Sequence, residues 1–140
     1  MKYQNTKGWK YRLMEELSIK LGEKFILFNY MFPIENPYFG LKDSILTIKK
    51  QYSWDGPSGP TIDTKNFMKG SLIHDALYQM MRLGYIPESY RKEADKILRY
   101  ICIEEGMSRF RAWYVYVAVR LFAGKSAKLG SDKPPEIIEI

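Results

Sequence analysis

A loop too rich in glycine and proline for regular structure divides this chain, and the hydrophobic period changes across it. Tyr52-Ser53-Trp54-Asp55-Gly56-Pro57-Ser58-Gly59-Pro60 holds two Gly and two Pro in nine residues, which excludes helix and the interior of a regular strand. Before the loop, apolar residues alternate with polar ones in Tyr11-Arg12-Leu13 and in Leu17-Ser18-Ile19-Lys20-Leu21, the period of a half-buried strand. Residues 24–30 and 44–49 are β-branched and aromatic and read as further strands, while Pro33 and Pro37 bracket a loop that no central ladder can cross. After the loop the spacing becomes helical. Asp63 or Thr64 is placed as an N-cap, and helices are expected over 65–83, 88–105 and 108–123, each closed by a glycine at 84, 106 or 124. The expected fold class is therefore α+β: a small N-terminal antiparallel sheet, the Gly/Pro loop, and a three-helix core. The 140 residues suit a single domain, with a strand-rich part over 1–51, loop and helices over 52–124, and an extended tail over 125–140.

Composition narrows the function classes. A single cysteine, Cys102, rules out an intrachain disulfide scaffold and any zinc site built from several cysteines. No apolar run is long enough for a transmembrane helix, and the basic start lacks the apolar stretch of a secretory signal, so a bacterial cytoplasmic protein is expected. The net charge of +6 is uneven. Residues 1–50 carry nine Lys/Arg against five Asp/Glu, and residues 107–130 carry five basic residues and no acid. That distribution suits an anionic partner, either a lipid surface or a nucleic acid.

Candidate chemistry sits on the first two helices. At 100° per residue Phe67, Ser71, His74 and Tyr78 share a narrow stripe, with Asp75 on its edge and Ile73, Leu77, Met80 and Met81 alongside. His74 thus falls at the border of core and solvent, where a structural core histidine and a reachable base are both possible. On the second helix Asp95 lies at the edge of the apolar stripe Ala94, Ile97, Leu98 and Ile101, where an unpaired carboxylate is costly. Arg91 and Arg99, at i−4 and i+4, are one source of partners. The other is His74 on the neighbouring helix, which would make a dyad able to deprotonate water. Asp75 points about 100° away from His74 and is placed to ligate a metal. Asp55 and the carbonyls exposed around Gly56, Pro57 and Gly59 supply further oxygens for a hard cation.

The order of these motifs, a Gly/Pro loop with one Asp, a helix with His-Asp-x-x-Tyr, and a second helix whose Asp faces back, resembles the phospholipase A2 architecture of the small bacterial and fungal branch. The resemblance covers roughly 52–124. It implies a His74–Asp95 dyad supported by Tyr78, and calcium held by Asp55, the Gly56 carbonyl and Asp75. It also implies that residues 112–122 form the closing helix. The single cysteine and the lack of an export signal depart from the secreted enzymes. The stretches 54–64, Gly70-Ser71-Leu72-Ile73-His74-Asp75-Ala76-Leu77-Tyr78 and Arg91-Lys92-Glu93-Ala94-Asp95 are also similar to a phage and prophage family of unknown function.

Three functions follow. One is a calcium-dependent lipid-ester hydrolase on an anionic membrane. Another is a non-catalytic phage accessory protein that binds a host protein, its His74, Asp75 and Asp95 forming a structural polar network. The third, nucleic-acid binding through Arg109, Arg111, Arg120, Trp113 and Tyr116, is the least favoured: the third helix is apolar nearly all round, which predicts burial. Met68, Met80 and Met81 read as core filling and Cys102 as inert packing. Gly56-Pro57-Ser58-Gly59-Pro60 lacks the Lys and spacing of a phosphate-binding loop.

Overall fold

The computed structural model describes residues 1–5, 11–22, 33–54 and 65–128, which divide between two compact units. Residues up to 54 belong to the first and those from 65 onward to the second. The architecture is α+β, with antiparallel sheets at the N-terminus followed by three helices.

The first unit holds seven short strands among its described residues: β1 (Tyr3–Asn5), β2 (Tyr11–Leu13), β3 (Leu17–Lys20), β4 (Ile34–Glu35), β5 (Phe39–Lys42), β6 (Ile45–Ile48) and β7 (Ser53–Trp54). They form two sheets where one was expected, ordered β1-β2-β7 and β3-β6-β5-β4, every pair antiparallel. Alternation along a strand reveals its buried face but not its partner, so the split was not legible. In β6, Leu46 and Ile48 are wholly buried while Ile45 is exposed. Asp43 and Ser44, both at positive φ, make a two-residue turn that sets Lys42 opposite Ile45.

Residues 52–54, expected to open the loop, belong instead to the buried strand region of the first unit. Tyr52 and Trp54 have no exposed surface, and β7 pairs with β2 in the register Tyr11↔Trp54. Trp54 also packs against Tyr11 and Tyr3, with ring centroids 5.5 and 6.1 Å away. Burying these rings outweighs the turn composition that follows them. The candidate strand at 24–30, the loop residues 55–60 and the N-cap candidates Asp63 and Thr64 lie outside the described residues.

The second unit contains α1 (Lys65–Arg82), α2 (Arg91–Glu104) and α3 (Arg109–Phe122). A 3-10 turn, Glu88–Tyr90, leads into α2, and another, Gly124–Ala127, follows α3. Gly84 and Gly106 take φ of 83° and 97° and close the first two helices, with Tyr85 N–H donating to Met80 O and Met107 N–H to Cys102 O. Ser108 caps α3 by accepting from Arg111 N–H. Phe67, Leu98, Cys102, Met107, Ala112 and Val115 form the core in which the three helices meet. Met68, Met80 and Met81 are buried as expected.

Helix α3 departs from its expected burial. It buries only Ala112 and Val115, on the side that joins the core cluster, and leaves large apolar side chains exposed on the other. Among the described residues no helix is long and apolar enough to cross a membrane.

The α1–α2 contact is closest at Gly70. A Cβ there would stand 2.9 Å from Cys102 Sγ and 3.0 Å from Leu98 Cδ1. Overpacking of this kind costs about 1–3 kcal/mol, against about 1 kcal/mol gained in helix propensity. Gly70→Ala should therefore lower the unfolding free energy by about 1 kcal/mol in urea titration. Adding Cys102→Ala should abolish that difference, and a loss that persists would place the effect elsewhere.

Candidate functional site

Three side chains, two from α1 and one from α3, converge on Asp95 of α2. The carboxylate sits in the first half of α2 with no exposed surface. His74 and Tyr78 are one helical turn apart on α1, so both reach the same carboxylate oxygen. His74 Nε2 and Tyr78 Oη each lie 2.6 Å from Asp95 Oδ1, and the two α1 rings stack with centroids 4.2 Å apart. Arg120, near the end of α3, donates from Nη1 to Asp95 Oδ2 at 2.8 Å. The expected contact between His74 and Asp95 is thus present.

Arg91 extends this network. Its Nε donates to Tyr78 Oη at 3.1 Å, and its Nη2 donates to the Val119 and Arg120 carbonyls at 2.8 Å each. Val119 O also accepts from Ala123 N–H, while carbonyls this near a helix end have lone pairs to spare, so Arg91 ties the end of α3 to the start of α2. The alternative in which Arg91 and Arg99 pair with Asp95 is not what the structure adopts. Arg91 goes to Tyr78 and the backbone, Arg99 lies over the Tyr116 ring at 5.9 Å, and the guanidinium on Asp95 is that of Arg120. Sequence reasoning assigned Arg120 only to a basic stretch and to the nucleic-acid reading of the third helix. The available signal was its isolation: it is the one charge in the run from Ala112 to Ala123.

The electrostatics set the charge state of Asp95. Burial by itself pushes the Asp95 carboxyl up, but hydrogen bonding and charge from His74, then the bonds from Tyr78 and Arg120, outweigh it. The group is held below its ordinary value and is ionised at neutral pH. An ionised carboxylate only accepts, so the proton between the pair belongs to His74 Nε2, and in the neutral imidazole the lone pair is on Nδ1. Among the described residues Nδ1 meets no hydrogen-bonding group, and the imidazole side chain is 12% exposed. Tyr78 is pushed well above its ordinary value by burial and then by Asp95, so its hydroxyl stays a donor.

Asp75, next to His74, is half-buried, and its Oδ2 is a buried oxygen with no hydrogen-bond partner among the described residues. Asp55 and Gly56 lie outside the described residues, so the expected ligand set is represented here by Asp75 alone. No group of three metal-binding side chains forms among the described residues. Cys102 is buried, and burial pushes its thiol up to about 12, which suits inert packing.

Fold and site together define an α+β protein whose helical part buries one carboxylate among an imidazole, a phenol and a guanidinium. The chain belongs to the family described as protein of unknown function (DUF1353), whose model matches residues 35–119. The match includes His74, Asp75, Tyr78, Arg91 and Asp95 and ends one residue before Arg120. No curated protein and no solved structure matches the chain.

Proposed function

We propose that the helical unit is a lipid-ester hydrolase core of phospholipase A2 type, of phage origin, with His74 as general base and Asp95 as its orienting partner. The observation that carries this reading is the 2.6 Å bond from His74 Nε2 to Asp95, which leaves Nδ1 as the basic nitrogen. In the proposed reaction Nδ1 takes a proton from water as the water oxygen attacks the ester carbonyl carbon. The same nitrogen returns the proton to the departing alcohol as the carbon–oxygen bond breaks. Asp95 stabilises the transient imidazolium, and Tyr78 and Arg120 keep that carboxylate fixed and ionised.

The unpartnered, buried Oδ2 of Asp75 fits a hard cation, which prefers oxygen ligands. Asp55 and the Gly56 carbonyl would be its companions in a calcium site. Bound there, calcium would polarise the ester carbonyl and steady the developing oxyanion.

Calcium-dependent release of fatty acid from phosphatidylglycerol vesicles tests the reading. His74→Ala should lower the rate by about 10²–10⁴-fold, the range for loss of a general base. Calcium should raise the Tm of the wild-type chain by mass action, and Asp75→Asn should remove that shift. No release and no calcium-dependent shift would overturn the proposal.

A second reading rests on the completeness of the network, since both Asp95 oxygens are satisfied without any ligand. There the quartet only holds three helices together, and the protein is a non-catalytic accessory that binds a host protein. His74→Ala would then lower the Tm while no variant changed ester hydrolysis, because wild type would show none.

A further inference from the structure

We infer that the outward face of α3 docks on an anionic lipid surface. At 100° per residue Phe110, Trp113, Tyr114, Val117 and Leu121 fall within an arc of about 100°, opposite the buried Ala112 and Val115. Phe110 is 76% exposed, Leu121 69% and Trp113 48%, and Phe122 at the end of the helix is 75% exposed. Soluble proteins rarely leave so continuous an apolar stripe on one helix unless something covers it.

Charge selects the occupant. Residues 107–128 contain Arg109, Arg111, Arg120, Lys125 and Lys128 and no acid, so every formal charge on the segment that carries the stripe is positive. Arg109 flanks its start, and Lys125 and Lys128 follow its end, all three exposed. A second copy of this face would set like charge against like charge in either helix orientation. A nucleic acid calls for cations and stacking rings at the centre of its site. Here the cations stand at the ends, and Val117 and Leu121, which neither stack nor hydrogen-bond, occupy the middle. An anionic bilayer matches both features. Phe110 and Leu121 would enter the acyl boundary, Trp113 and Tyr114 would sit at the headgroups, and the end cations would meet lipid phosphates. With 14 residues α3 is about 21 Å long, so it lies on the surface and does not span it.

The inference needs no catalysis. The full chain should sediment with vesicles of equal phosphatidylglycerol and phosphatidylcholine, and at least 10-fold less with phosphatidylcholine alone. The pair Phe110→Ser and Leu121→Ser should lower binding by about 100-fold at unchanged Tm, because both side chains are exposed. Trp113 emission should shift to the blue on binding, and Trp113→Phe should remove that shift. Failure to bind anionic vesicles, or binding indifferent to the serine pair, would overturn the inference. So would a dimer or an oligothymidine complex that the pair disrupts in place of vesicle binding. Vesicle binding without ester hydrolysis would sink the hydrolytic proposal alone, and hydrolysis of a dispersed ester without vesicle binding would sink this one alone.

Discussion

Replacing Asp95 with alanine should destabilise the helical unit by about 3–5 kcal/mol, the usual result of removing one partner from a buried ion pair. Three donors, from His74, Tyr78 and Arg120, would lose their acceptor at once. A fall in Tm of about 10 °C or more is expected. The difference should depend on pH in a defined direction. The folded-state pKa of Asp95 is depressed, so its contribution is complete above the unfolded carboxylate value, about 3.9. It is lost as pH falls through the lower folded value. Wild type and Asp95→Ala should therefore converge in strong acid, once the carboxylate is protonated in the folded state. A gap that stayed open in strong acid would mean that Asp95 is not the ionised centre described above.

Arg91→Ala should cost about 2–3 kcal/mol, since hydrogen bonds from a charged donor contribute about 1.5–3 kcal/mol and this guanidinium is part-exposed. Arg91→Lys should recover less than half of that. A guanidinium places Nε on Tyr78 and Nη2 on two carbonyls at once, whereas an ammonium is a point donor on a flexible stem. Urea midpoints at constant slope would measure both variants. Full recovery by lysine would show that charge alone is needed and the fork is not.

The two halves of the site differed in how far the sequence disclosed them. His74, Tyr78 and Asp95 were legible because helical spacing fixes where side chains point, and a carboxylate in an apolar stripe must find a partner. Arg120 was not, because its approach depends on how α3 crosses α2, 25 residues further along the chain. The acceptors of Arg91 on α3 are backbone carbonyls, which carry no residue signature. The strand at Ser53–Trp54 was hidden by the turn residues after it, and only the burial of Trp54 against Tyr11 assigns it to the sheet. The exposed face of α3 was misread for a related reason: apolar residues all round a helix report that water is disfavoured there, not which body displaces it.

Asp75 has a consequence for how this site changes over evolutionary time. Residues around Asp95 are held in place by cohesion, so a descendant that had lost every activity would still be penalised for altering them. Their persistence in related chains would be silent about chemistry. The buried Oδ2 of Asp75 meets no donor among the described residues, and there an apolar side chain of similar shape would relieve an unmet demand. Drift in an inactive lineage should therefore erase Asp75 first and leave His74, Tyr78, Arg91 and Asp95 as a relic. Under the proposed calcium reading, a lineage that keeps the aspartate at this position is one in which the cation still binds.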